Sequence, residues 1–151
     1  MKRMIPRAPL LLGLAGLIPF LWGAITVLSP DLALWSARTF GGRFAGPYIM
    51  LFYGSVILAF MSGVLWGFAT KLEGKPAAAG YALSVLPALW AFFMTSGGPT
   101  SAGISLMVGF TGLLGLDWLF WHYGVAPAWW MSLRVLLTSV VLMCLAIGVF
   151  L

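Results

Sequence analysis

Charge is what this chain most lacks: only 7% of its 151 residues are Asp, Glu, Lys or Arg, against roughly 25% in soluble globular domains. With 62% hydrophobic residues, water cannot be the solvent for most of its surface. Cysteine and histidine are also scarce. The lone Cys144 has no internal disulfide partner, and one Cys with the single His122 cannot build a zinc, haem or iron–sulfur site within the chain. The three carboxylates, Asp31, Glu73 and Asp117, leave little for a triad, dyad or metal-hydrolase constellation, which need several convergent polar groups. No cofactor is expected, and no catalytic site. The basic residues are few and dispersed at the ends of apolar runs, which speaks against a nucleic-acid partner.

What remains is a sequence for the bilayer. At about 20 residues per crossing, five apolar stretches read as membrane helices, about 9–29, 47–70, 79–96, 102–121 and 133–151. The predicted class is all-α: a polytopic helix bundle forming a single integral-membrane domain over 1–151. The first run is longer than the apolar region of a signal peptide, contains Pro19 and is followed by no clean small-residue cleavage site, so it is read as a retained helix. The polar "KLEGKPAA" separates the second and third spans, and "GGPTS" (97–101) makes a tight hairpin between the third and fourth.

Lys2, Arg3, Arg7, Lys71, Lys75 and Arg134 fall on one side of this layout, Arg38 and Arg43 on the other. The asymmetry predicts a bacterial inner-membrane protein with a cytoplasmic amino terminus and the carboxyl terminus opposite. Trp66, Trp118, Trp121, Trp129 and Trp130 lie near the predicted cytoplasmic boundary and read as an interfacial belt, with an aromatic ligand cage as the alternative. Between the first two spans, Ser29, Pro30 and Asp31 are a helix start and Gly41-Gly42 a stop. Leu28, Leu32, Trp35 and Thr39 would lay this short helix on the membrane surface. A lid or partner-docking helix is the other reading.

Helices in lipid associate through close backbone approach at small side chains. Ser55, Ala59, Gly63 and Gly67 recur every four residues and are expected to be the second span's packing face within the bundle. A homodimer or heterocomplex face is the minor alternative. Shorter stripes are Ser105 and Gly109 with Thr111 and Gly115, and Cys144 with Gly148. Pro19 and Pro87 should kink the first and third spans, with Ser84 satisfying backbone loosened by the latter. Asp117 and Arg134 fall at similar depth on consecutive antiparallel spans, so an ion pair is expected, each reducing the other's desolvation cost. A proton relay through Asp117, His122 and Arg134 is disfavoured because Arg does not deprotonate and no further group continues it.

The block "YGSVILAFMSGVLWG" (53–67) resembles the signature of the domain-of-unknown-function family 3429, small bacterial membrane proteins related to mitochondrial transmembrane protein 69. "IPRAPLLLGLAGLIPF", "YALSVLPALWA" and "GVAPAWWMSLRVLLTSVV" resemble its other blocks in order, so the resemblance covers nearly the whole chain. It implies a multi-pass membrane fold and carries no reaction, ligand or catalytic residue.

Two functions follow. The first is a non-enzymatic accessory subunit or assembly factor of a larger respiratory or photosynthetic membrane complex, with lipid and a membrane-protein partner or second copy as its contacts. The second is a binder or carrier of a small apolar molecule, in a cavity lined by Tyr53, Trp66, Tyr81 and Trp90, by fold-level analogy with tryptophan-rich five-helix membrane proteins.

Overall fold

A computed structural model describes residues 4–151; Lys2 and Arg3, counted above among the basic residues of the amino-terminal side, lie outside them. Eight α-helices run in the order α1 (Arg7–Ala15), α2 (Ile18–Leu28), α3 (Pro30–Phe40), α4 (Tyr48–Ala69), α5 (Gly74–Ser84), α6 (Leu86–Met94), α7 (Pro99–His122) and α8 (Trp130–Phe150). They make five units long and apolar enough to cross a membrane: Arg7–Leu28, Tyr48–Ala69, Gly74–Met94, Pro99–His122 and Trp130–Phe150. The protein is an all-α, multi-pass membrane bundle. The third unit starts five residues before the expected 79. Pro76 sits in its first turn, where backbone N–H groups have no helical acceptor and a proline removes nothing.

Both intramembrane prolines divide their spans. Pro19 and Pro87 occupy the first turn of α2 and α6, after breaks at Gly16-Leu17 and at Val85. The second break is repaired from a neighbouring helix: the Ala88 N–H donates to Ser62 Oγ of α4 at 2.8 Å. Ser84 Oγ meanwhile donates to the Tyr81 carbonyl at 2.7 Å. In an apolar medium an unpaired N–H is costly, so Ser62 is part of what makes a broken span tolerable.

Helix α4 packs on α2, α5, α6 and α7, while α8 packs on α7 and α2 and closes the bundle. Phe20, Met50, Leu58, Leu65, Leu106, Phe110, Leu113 and Leu145 fill the centre, with Phe20 and Phe110 edge to face at 5.9 Å. The α4 residues turned inward are Met50, Gly54, Leu58, Met61, Ser62, Leu65 and Ala69. The expected packing stripe is therefore corrected. Ala59, Gly63 and Gly67 are exposed on the outer surface, Ser55 is half-buried, and a Cβ on Gly63 or Gly67 would meet nothing within 4 Å. Four residues overshoot one turn by about 40°, so Ser55 to Gly67 winds about 120° around the helix. Such a row meets only a neighbour that crosses it at a marked angle, and none of the described helices lies on it at Gly63 or Gly67. The large Leu58, Met61 and Leu65 take the inner face because they offer many more dispersion contacts.

Close approach is instead made at other glycines. A Cβ on Gly54 would lie 3.0 Å from Leu106 Cδ1, one on Gly109 2.7 Å from Trp90 Cδ1, and one on Gly148 2.7 Å from Met50 Cε. Helix α3 begins as its sequence indicates, with Ser29 Oγ accepting from the Leu32 N–H at 3.4 Å. It ends at Gly41, whose φ of +106° suits glycine. Beyond it, the Gly46 N–H donates to Thr26 Oγ1 at 2.7 Å, and Gly46 lies so close to the Gly23 carbonyl that no side chain fits. Trp22 Nε1 lies 3.1 Å from the Phe44 carbonyl and 3.2 Å from Ser36 Oγ. The 41–47 loop is thereby fastened to α2, and Leu28, Trp35 and Phe40 stay exposed around it.

Candidate functional site

The polar centre of the bundle lies at the α7/α8 contact. Asp117 projects from the last third of α7 and is 0% exposed. Arg134, in the second turn of α8, donates from Nε to Asp117 Oδ2 at 2.8 Å. The other carboxylate oxygen, Oδ1, accepts from Trp130 Nε1 at 3.1 Å. Antiparallel packing brings the two helices into register, and Trp130 reaches the same carboxylate because it stands four residues before Arg134, one turn along one face.

By its position in the sequence alone, Trp130 belongs to the interfacial belt. Its indole turns inward, meeting Phe68 edge to face at 5.0 Å; the i, i+4 spacing to Arg134 was the sequence signal for this role. His122 does not join the group. It is exposed and stacks on Trp118 at 4.9 Å, so the three residues of the considered relay are not brought together. Lys71 Nζ donates to the Val125 carbonyl at 3.1 Å and holds the 123–129 loop against the end of α4. Chemically, Asp117, Trp130 and Arg134 form a neutral, hydrogen-bonded set. Among the described residues no group of three or more His, Cys, Asp or Glu could hold a metal.

The four aromatic residues expected to line one cavity are divided among three places. Trp66 and Tyr81 pack on each other at 4.7 Å on the outer side of α4 and α5. Trp90 Nε1 donates to the Ser105 carbonyl at 2.6 Å, and its ring borders a shallow groove between α6 and α7. Tyr53 stands elsewhere, against Phe20 at 5.3 Å. It lines a separate cavity of about 390 Å³ among α1, α2, α4, α7 and α8, which Arg134 also lines. Aromatic identity alone could not reveal this division, because it depends on which helix face each ring occupies.

A family profile described as "Protein of unknown function (DUF3429)" matches residues 5–150. The chain belongs to this family. Transmembrane protein 69 of Xenopus tropicalis is 33% identical over 144 residues, covering 89% of this chain and 51% of that protein. Transmembrane protein 69 of Mus musculus is 32% identical over 141 residues, covering 89% of this chain and 52% of that protein. The DUF3429 chain thus spans about half the length of the curated relatives it matches. No solved structure matches it.

Proposed function

We propose that this DUF3429 protein is a non-enzymatic accessory subunit or assembly factor of a larger respiratory or photosynthetic complex in the bacterial inner membrane. The observation that carries the reading is the outer face of α4. Ala59, Gly63 and Gly67 are exposed there, with open space beyond both glycines. In lipid, small residues on an exposed helix face let another helix approach the backbone between the larger side chains beside them, here Phe52, Val56, Phe60 and Trp66, and dispersion then holds the pair. Among the described residues, none comes within 4 Å of where a Cβ on Gly63 or Gly67 would stand. Charged residues that could do chemistry are instead tied into Asp117–Arg134 or stand at helix ends.

Orientation belongs to the same proposal. With Arg134 buried in an ion pair, it no longer counts as a loop charge. Arg7, Lys71 and Lys75, with Lys2 and Arg3, still outnumber Arg38 and Arg43 and favour a cytoplasmic amino terminus.

Native electrophoresis of mildly solubilised membranes, with the chain tagged at its own locus and the band analysed by mass spectrometry, tests the reading. Co-migration with one large complex in fixed stoichiometry is the expected result. Migration of the bulk of the protein as a single small particle would overturn it.

A further inference from the structure

At the α3 end of the bundle a groove of about 210 Å³ runs between α2 and α4 on the outer surface. Pro19 borders it on α2, Ile49, Phe52 and Val56 on α4, and Arg43 with Phe44 on the loop that joins α3 to α4. Phe52 and Val56 are 52% and 61% exposed, so the groove opens toward the acyl chains. From Tyr48, the first residue of α4, to Val56 is about 12 Å of helix rise, most of one leaflet's share of a hydrocarbon core about 30 Å thick. The exposed Trp35 and Tyr48 set the 41–47 loop at the level of the headgroups. At that end a cation is fixed in advance. The Arg43 guanidinium lies over the rings of Phe44 and Phe52, 5.5 and 5.0 Å from their centroids, contacts that use its flat face and leave its N–H edge for an acceptor. The Phe44 carbonyl accepts from Trp22 Nε1 and, at 3.0 Å, from Ser36 Oγ, so the backbone that carries Arg43 is ordered before anything binds. Among the described residues the one ion pair is Asp117–Arg134, and no carboxylate neutralises Arg43. Asp31 stands in the first turn of α3, at its far end, while Arg38 in the last turn adds a second positive charge.

A fixed guanidinium at the mouth of an apolar slot nearly one leaflet deep suits a lipid with a phosphate head and a tail that fills the slot. Charge decides which phospholipid. A zwitterionic head would bring its own cation up to Arg38 and Arg43, whereas a phosphodiester of an uncharged alcohol brings negative charge alone. We propose that this groove binds an anionic phospholipid, its phosphate on Arg43 and an acyl chain along Phe52 and Val56. The assignment holds with or without a partner at Gly63 and Gly67 of α4.

Native mass spectrometry of the full chain, titrated with dioleoyl phosphatidylglycerol or dioleoyl phosphatidylcholine, tests this. Phosphatidylglycerol should saturate one site per chain and bind more tightly than phosphatidylcholine. Arg43→Gln removes an exposed charge and should unfold at the temperature of the parent. It should weaken phosphatidylglycerol binding roughly tenfold, the effect of one lost charge-assisted hydrogen bond, and leave phosphatidylcholine binding little changed. Lys75→Gln removes the same charge in the first turn of α5, beyond the other end of α4, and should alter neither lipid. Val56→Trp puts an indole into the groove from an exposed position and should weaken both. Equal affinity for the two lipids, parent-like binding in Arg43→Gln, or parent-like binding in Val56→Trp would overturn the proposal. Equal losses in Arg43→Gln and Lys75→Gln would do so too, by showing diffuse attraction, as would glycerol phosphate binding as tightly as the whole lipid.

Discussion

Burying a carboxylate in a membrane bundle is expensive, and Asp117 is tolerable because Arg134 and Trp130 occupy both its oxygens. The three side chains stabilise the fold mainly by not being left alone. Arg134→Ala strands a buried charge and should lower stability by about 3–5 kcal/mol, read as a fall in thermal unfolding temperature and in recovery of monodisperse protein. Removing both charges together in Asp117→Leu/Arg134→Leu should recover most of that loss, since a similarly sized apolar pair leaves no uncompensated charge and only the Trp130 N–H loses its partner. If the double variant were as unstable as the single one, the pair would have a role beyond mutual neutralisation. The pairing was legible in the sequence because two opposite charges at matching depth in apolar helices have few other options. The place of Thr138, buried with no hydrogen-bond partner among the described residues, was not: nothing in a run of apolar residues marks which hydroxyl will lack a partner.

At the scale of the element, the two broken spans show how far proline alone predicts structure. Pro19 and Pro87 marked where the helices would bend, but the breaks fall just before them, and Ser62, 26 residues from its acceptor-seeking N–H, repairs the second. Ser62→Ala should cost about 1–3 kcal/mol by leaving the Ala88 N–H unsatisfied in a dry interior, measurable by thermal unfolding. A negligible effect would mean that the Ala88 N–H finds another acceptor. Spacing that long cannot be inferred from a local pattern, whereas the capped start and glycine stop of α3 could, because capping is decided within one turn. The four-residue row on α4 failed as a guide to internal packing because the spacing of small residues marks a face that can take a close neighbour without saying whether that neighbour belongs to the bundle.

For the whole molecule, five spans and their order followed from apolar length, which is a property of the bilayer more than of the fold. Which faces meet was decided by three-dimensional fit, and here glycines divide into two groups. Gly54 is within contact of Leu106, so Gly54→Ile should overpack the α4/α7 contact, costing about 1–3 kcal/mol or more. Gly63→Ile extends into open space and should leave the unfolding temperature of the isolated bundle within a degree or two of the parent. Equal destabilisation by both would contradict the assignment of inner and outer faces.

The same contrast bears on the central claim that the outer face of α4 receives a partner. The decisive measurement is native electrophoresis of Gly63→Ile beside the parent, both expressed from the chromosomal locus and solubilised under identical mild conditions. The account predicts that the parent migrates in a large complex, while Gly63→Ile, although folded, migrates as a small particle. Retention of the variant in the same large complex, or a parent that itself runs small, would contradict it.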